Sequence, residues 1–321
     1  MSIRIEVSKL ADHLGKSPYR LILGLGFDLR STEILKRLGS DCEPRQVVGI
    51  TNVGWDDSNR QAVTVFQHHT RNRGHIVGVG CTSILQLADE LANEISNFDT
   101  NIRTVVDITS MSHELLAILI ALLHARRQLV GTTLCYTGAK QYSFNTTAKD
   151  IWLSKGVKTI RSVLGFPGEQ LPSRSLHLVI PTGFEVERAI EVISAYEPAV
   201  LSLGVGRRED SVSDAHFESN NLFFRHLEAF VKEQITVCGT LSTFLFSCID
   251  PIHTKNDITK HLASYSDLNT VICPLNTKVS TVGVALLCLE QPEIQLCYAQ
   301  PIEYNIEGYA TPGEWVTVFK L

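Results

Sequence analysis

The sequence predicts an α/β protein made of two similar parallel-sheet units, on three observations. Its 321 residues are 44% hydrophobic, enough for two cores of ordinary size. From Arg20 onward, short apolar runs alternate with amphipathic stretches, as in strand–helix units around a parallel sheet. The same residue types also recur at matching points of the two halves. We therefore expect a first unit over residues 1–145, a linker over 146–174 and a second unit over 175–321.

The first half alternates predicted strands and helices. The apolar runs predict strands at LILGLGF, QVVGITNVGW, HIVGVG, TVVDI and GTTLCYTG, of which HIVGVG is either a strand or a loop. The amphipathic or uniformly apolar stretches predict helices at STEILKRL, SNRQAVTVFQHHTRNRG, SILQLADELANEI and SHELLAILIALLHARR. This order is typical of successive strand–helix units in one sheet.

The second half repeats this order after a less periodic stretch over 141–173, which we interpret as an excursion and linker. Strands are predicted at LHLVIPTGF, AVLSLGVG, FLFSCID, NTVICPL and QLCYAQP, with a short C-terminal strand at WVTVF. Helices are predicted at EVERAIEVISAY, SNNLFFRHLEAFVKEQI, DITKHLASY and VSTVGVALLCL.

Three segments of the first half correspond to three segments of the second. GFDLRSTEILKRL corresponds to GFEVERAIEVI, TVVDITSMSHELLAILIALL to TVICPLNTKVSTVGVALLCL, and LCYTGAKQYS to LCYAQPIEYN. Any two α/β domains share their periodicity, but not these residues at these points. The pattern therefore predicts two Rossmann-like units related by internal duplication, with a pseudo-twofold relation that brings equivalent loops together around one ligand.

Composition restricts the partners and the compartment. A net charge of −5 without a basic run argues against duplex nucleic acid, because phosphate binding needs clustered Lys and Arg. We expect no membrane segment and no secretion signal, and therefore a soluble cytoplasmic protein. The eight cysteines stand singly in apolar segments, as in a reducing compartment. They predict neither a metal site nor a disulfide framework.

The turns that leave the strands hold the candidate binding residues, because ligands of parallel sheets bind beyond the carboxyl ends of the strands. The first candidate turn, DITSMS, offers the hydroxyl groups of Thr109, Ser110 and Ser112 at a helix N-terminus. Ordinary helix capping is the alternative explanation. The second candidate, PLNTK, offers Asn276, Thr277 and the charge of Lys278. A solvated surface lysine is the alternative there.

Two further features are weaker candidates. The glycine turns GLGFD and PTGFE allow close approach to a ligand, and Asp28 and Glu185 would contact a ribose hydroxyl or cap the following helix. The segment QHHTRNRGH offers Arg71 to an anion, or is a polar helix end. The matching region of the second half offers Arg207, Arg208, His216 and Asn220. No catalytic motif and no cofactor fingerprint is present, so no catalytic residue is predicted.

The turn VVDITSMSHELLAILIALL resembles the D-x-T-G-G-T-K-x-M motif of CARF domains, the Rossmann-like sensors of cyclic oligonucleotides in prokaryotic immunity. PLNTKVSTVGVALL resembles the same motif through Asn276, Thr277 and Lys278. The first copy lacks the glycine pair and the lysine, and the second lacks the acid and the glycines. A fused pair of such units is the layout of SAVED domains. The resemblance implies that Thr109, Ser110, Ser112 and the three residues of the second copy face a ligand.

The resemblance implies a sensor or accessory protein of an antiviral defence system that binds a small phosphorylated nucleotide between its halves. No effector segment follows the two halves, so we expect a separate effector protein as partner. Two alternatives stay open. One is a nucleotide-processing enzyme that cleaves a cyclic oligonucleotide or a glycosidic bond. The other is a structural subunit of a defence complex.

Overall fold

The computed structural model of the chain describes residues 2–38, 43–54, 56–142, 153–233, 239–306 and 310–321. The chain divides into two compact units. The first unit comprises Met1–Lys149 together with Ile306–Leu321, and the second comprises Asp150–Asn305. None of the helices in the described part of the chain has the length and apolar character that a membrane crossing requires.

The first unit has a mixed sheet flanked by helices, and most of its strands are parallel. Its strands are β1 (Ile3–Glu6), β2 (Tyr19–Leu25), β3 (Gln46–Thr51), β4 (His75–Val77), β5 (Arg103–Asp107), β6 (Thr133–Tyr142) and β13 (Ala310–Lys320). Its helices are α1 (Leu10–Leu14), α2 (Glu33–Arg37), α3 (Asp56–His69), α4 (Ile84–Ser96) and α5 (His113–Ala125). A 3-10 turn, Leu29–Thr32, precedes α2.

The second unit has the same kind of architecture. Its strands are β7 (Ser154–Ser162), β8 (Leu176–Pro181), β9 (Val200–Gly206), β10 (Thr240–Phe246), β11 (Asn269–Ile272) and β12 (Gln295–Tyr304). Its helices are α6 (Val186–Tyr196), α7 (Asp214–Glu233), α8 (Pro251–Leu262) and α9 (Lys278–Glu290). A 3-10 turn, Ala263–Tyr265, follows α8.

Both sheets contain the same order of five parallel strands. The first sheet has the order β1-β13-β6-β5-β2-β3-β4, and the second has the order β10-β9-β8-β11-β12-β7. The five parallel strands are β2–β6 in the first unit and β8–β12 in the second. β2 lies between β3 and β5, β8 lies between β9 and β11, and the strand order reverses at β2 and at β8. These are two Rossmann-like units, as the sequence predicts. The turns after β2 and β5, and those after β8 and β11, flank the two reversal points.

The central strands are buried on both sides because helices cover both faces of a parallel sheet. All seven residues of β2 are buried, as are all four of β11. Helices α5 and α9 are themselves largely buried, which explains why their sequences are apolar on almost every side. Each begins at a side-chain cap: Ser112 accepts a hydrogen bond from Leu115 N, and Thr277 accepts one from Ser280 N.

The unit boundaries differ from the expected ones in two places. The predicted linker contains β7, which pairs antiparallel with β12 in the second sheet; residues 146–152 of that linker lie outside the described residues. The C-terminal strand β13 pairs antiparallel with β1 and β6 in the first sheet, so residues 306–321 do not belong to the second unit. β7 is a half-exposed edge strand without an apolar run, and periodicity does not show which sheet a strand joins.

A histidine–serine cluster lies near the amino ends of β8 and β9; His177 and Ser202 are buried and His261 is half-buried. The Oγ atom of Ser202 lies 2.7 Å from Nε2 of His177 and 2.7 Å from Nε2 of His261. The ring of Tyr265 packs against His177, and the ring of Phe244 stacks on His261. Burial lowers the pKa of His177 to about 4 and also lowers the pKa of His261. Both imidazoles are therefore neutral at pH 7, joined through one hydroxyl group.

We expect His177→Gln to make the unfolding free energy less dependent on pH between pH 7 and 4.5. The folded protein depresses the pKa of His177 from 6.5 to about 4, so its contribution to stability is complete above pH 6.5. That contribution falls as the pH drops toward 4, by at most about 1.4 kcal/mol per pH unit. Urea unfolding at a series of pH values measures the slope. His253→Gln, at an exposed position of α8, is the control; equal slopes in wild type and His177→Gln would contradict the account.

Candidate functional site

The turns at the two reversal points are the candidate sites, because the carboxyl ends of the parallel strands meet there. In the first unit, Ser110 Oγ after β5 donates a hydrogen bond to Gly24 O of β2, 2.6 Å away. In the second unit, Asn276 Nδ2 after β11 donates to Thr182 O after β8, 2.5 Å away. These bonds connect the turn after β5 to the end of β2, and the turn after β11 to the end of β8. Ser110 and Asn276 are also counterparts in the sequence correspondence.

The two glycines of the GF-acid segments allow this close approach between turns. A Cβ atom on Gly183 would lie 1.8 Å from Leu275 O, which no side chain tolerates. A Cβ atom on Gly26 would lie 3.1 Å from Ser110 O. The sequence predicts that these glycines allow close approach of a ligand. In the structure they allow close approach of the neighbouring turn of the same unit.

The hydroxyl groups of the turn after β5 are used within the fold. Thr109 is buried; its N–H and its hydroxyl group donate to Asp107 Oδ1, and its Oγ1 accepts from Thr137 N. Ser112 caps α5 and its own N–H lies 3.4 Å from Asn52 Oδ1. Ser110 and Ser112 are only half-buried, so they can still meet a ligand. Thr109 is buried behind these two residues, and its hydrogen bonds stabilise the shape of the turn.

Asp107 is a member of this turn that the sequence analysis did not select as a site residue. Burial raises the pKa of its carboxyl group to about 7, against the hydrogen bonds from Thr109. Its Oδ2 atom has no hydrogen-bond partner among the described residues. The only sequence signal was an acid at the end of the apolar strand TVVDI. Asp107 therefore changes charge near neutral pH at the reversal point of the first unit.

Asp28 forms a buried ion pair with Arg30. Its Oδ1 accepts from Arg30 N, which caps the 3-10 turn, and its Oδ2 lies 2.5 Å from Arg30 Nη2. The same guanidinium group donates to Thr137 O of β6 over 3.1 Å and lies over the Tyr136 ring. Of the two roles predicted for Asp28, the structure shows the capping role.

Glu185 takes part in a matching arrangement in the second unit. It pairs with buried Arg188, which donates to Ala299 O of β12 and lies over the Tyr298 ring. Thr137 and Ala299 each follow Cys-Tyr in the corresponding LCY segments. Glu185 also accepts from Ser154 Oγ, but its side chain makes no capping bond to α6. A buried arginine thus connects the segment after β2 to β6 in the first unit, and the segment after β8 to β12 in the second.

The turn after β11 combines internal hydrogen bonds with a positive charge. Asn276 Oδ1 accepts from Thr277 N over 2.8 Å, and Thr277 Oγ1 donates to Cys248 O over 2.7 Å. Lys278 is the first residue of α9 and is half-buried. A helix N-terminus carries a partial positive charge, and a lysine there adds to it. The backbone and Lys278 therefore favour an anion at this position.

Arg71 lies apart from the other predicted residues of the first unit. It follows α3 and precedes β4, so it belongs to the amino edge of the parallel strands, opposite the reversal point. It is exposed and has a φ of 50°, one residue before Asn72 at 59°. Nearby His75 Nδ1 lies 2.8 Å from Glu94 Oε2. The structure thus does not bring Arg71 together with Ser110 and Ser112.

An open groove of about 320 Å³ lies beside the edge strand β4. It is formed by the loop after β4 and the first turns of α4, and Asp89 and Glu90 line it. Glu90 Oε2 accepts a hydrogen bond from Gly78 N. Two carboxylates repel a phosphorylated ligand, so this groove does not fit the predicted partner.

Comparison with known proteins does not assign a family, since no protein-family model matches the sequence and no curated protein matches it significantly. Within the described ranges, no group of three His, Cys, Asp or Glu side chains could hold a metal ion. The six cysteines described there are buried free thiols.

We expect Arg188→Met to lower the unfolding free energy by about 3–5 kcal/mol, because it leaves the Glu185 carboxylate and Ala299 O buried without their cation. Chemical denaturation followed by fluorescence measures the change. Arg60→Met is the control, since Arg60 and Asp57 form an exposed pair that contributes little. Equal stabilities of the two variants would show that the buried pair does not hold the turn.

Proposed function

We propose that the protein is a nucleotide-binding sensor or accessory protein of a prokaryotic antiviral defence system. It binds a small phosphorylated nucleotide at the carboxyl edge of the second sheet and signals to a separate effector protein. The observation that carries the binding proposal is the N-terminus of α9, where Lys278 and the backbone of the first turn follow a turn that Asn276 and Thr277 fix by internal hydrogen bonds. The defence context rests on the resemblance to CARF and SAVED domains.

The chemistry of this turn supports a phosphate more than a neutral ligand. Backbone N–H groups at a helix N-terminus point toward a bound anion, and the partial charge of the helix favours it. An ammonium group adds hydrogen-bond donors that pair with phosphate oxygens.

The counterpart turn of the first unit differs in its charge. Residues 107–112 contain no lysine or arginine, and Glu114 lies in the first turn of α5. Asp107 adds a negative charge whenever it ionises, with a pKa of about 7. This turn therefore suits hydroxyl or amide groups better than phosphate, and we assign the phosphate to the second unit.

Lys278→Ala should weaken the binding of a phosphorylated nucleotide by about tenfold or more, since a hydrogen bond to a charged group contributes about 1.5–3 kcal/mol. Isothermal titration calorimetry with AMP and with cyclic tri-AMP measures the affinity. Lys260→Ala, at an exposed position of α8, should bind both as tightly as wild type. Unchanged affinity of Lys278→Ala for both nucleotides would remove α9 as the phosphate site.

The same mixtures separate a sensor from a nucleotide-processing enzyme. Chromatography after prolonged incubation with the protein detects the products. If the protein is a sensor, AMP and cyclic tri-AMP are recovered intact. Linear products from cyclic tri-AMP, or free base from AMP, would favour the enzyme alternative.

A further inference from the structure

A second polar cluster lies at the carboxyl edge of the second sheet, on the buried face of α7. His216 and Asn220 are one helical turn apart in α7, which follows β9. His216 is 6% exposed and Asn220 is 1% exposed. The sequence analysis named both residues only as the counterpart of the QHHTRNRGH segment. The structure places them in a helix that faces the ends of β8 and β9.

Three polar atoms of this cluster have no hydrogen-bond partner among the described residues: Oδ1 and Nδ2 of Asn220, and Nδ1 of His216. Leaving buried polar atoms without partners is unfavourable, and native proteins do it rarely. Burial also lowers the pKa of His216 to about 4, so its ring is neutral at pH 7. The cluster thus offers neutral donors and acceptors that the described side chains and backbone leave unused.

Aromatic rings and a glycine surround these atoms. The Phe184 ring, in the turn after β8, lies 5.1 Å from the His216 ring and 5.7 Å from the Phe223 ring. Gly206 ends β9, and a Cβ atom there would lie 3.4 Å from Asn220 Nδ2. The absence of that side chain keeps the amide close to the strand end. The Phe184 ring packs edge-on against both other rings, so aromatic surface lies beside the polar atoms.

We propose that Asn220, His216 and Phe184 form a subsite for the nucleobase of a nucleotide. This subsite rests on the proposed function, because it is the base-binding end of the same ligand. A carboxamide presents a donor and an acceptor side by side, which matches the adjacent acceptor and donor on the edge of a base. The aromatic rings supply the stacking surface that bases use in single-stranded recognition.

The structure links this subsite to the N-terminus of α9. Cys248 O accepts the hydrogen bond from Thr277 Oγ1, and a Cβ atom on Gly206 would lie 2.3 Å from Cys248 Sγ. Gly206 in turn lies against Asn220. Base subsite and phosphate turn are therefore neighbours along one sheet edge, with Cys248 between them.

Access to the subsite requires movement in the loop between β9 and α7, which Arg207 anchors through Asp210 and Asp257. Arg208, in the loop between β9 and α7, pairs with Asp214 over 3.1 Å and also with Glu218, and all three side chains are exposed. Exposed ion pairs contribute little to stability. Phe184 is half-buried in a turn. The Arg208 part of this loop and the Phe184 ring are therefore where we place the entry of the base.

The test uses nucleosides without phosphate, so that it depends on the base subsite alone. Calorimetry of the full chain with adenosine, guanosine, cytidine and uridine should detect binding of at least one. Asn220→Leu, which keeps the number and branching of the side-chain heavy atoms, should weaken that binding by about tenfold or more, since it removes two hydrogen bonds. Asn221→Leu makes the same change at the next residue and should leave the affinity unchanged.

His216→Phe is the second variant, and it carries the test if Asn220→Leu does not fold. It keeps an aromatic ring against Phe184 and removes the nitrogen atoms, so we expect the affinity to fall by about threefold or more. Nucleoside binding that neither variant weakens would overturn the subsite, and so would the absence of binding by all four nucleosides. If AMP then still binds and Lys278→Ala abolishes its binding, the proposed function stands without this subsite. If neither nucleosides nor phosphorylated nucleotides bind, both proposals fail.

Discussion

The parallel pairing of β8 with both β9 and β11 is the constraint on which the candidate site depends. It places the carboxyl ends of three strands at one edge, so turns about 90 residues apart in the sequence become neighbours. The Asn276–Thr182 hydrogen bond and the close approach at Gly183 are direct consequences. The pairing of β2 with β3 and β5 has the same effect in the first unit, through Ser110 and Gly26.

A second constraint is electrostatic and also recurs in both units. Arg30 and Arg188 are buried, and each pairs with one carboxylate and donates to one backbone carbonyl, in β6 and β12 respectively. A buried charge is stable only when its partners are fixed in place. Removing one partner leaves the other charge buried and unpaired, which lowers the stability of the fold. The acids of the GF-acid segments therefore hold the turns in shape. The recurrence of this arrangement agrees with the predicted duplication, which stays a prediction.

The sequence predicted those parts of the structure that depend on local pattern. The apolar runs located the central strands, and the predicted helix that begins at Ser112 located the start of α5. Pairing between distant segments was not predictable, which is why β7 and β13 were assigned wrongly to a linker and to the second unit. Asp28 and Glu185 were weaker candidates in the sequence, and sequence spacing does not show that an arginine two or three residues later pairs with each carboxylate. Arg71 looked similar to the other polar residues although the topology places it at the opposite edge.

Amide hydrogen exchange of the full chain, with and without saturating AMP, tests the central claim most directly, because it reports where along the chain a ligand acts. The account predicts slower exchange in the second unit at residues 182–185, 206–216 and 276–281, the turns at the carboxyl edge of its sheet. Protection confined to residues 68–75 at the amino edge of the first sheet, or no protection at all, would contradict it.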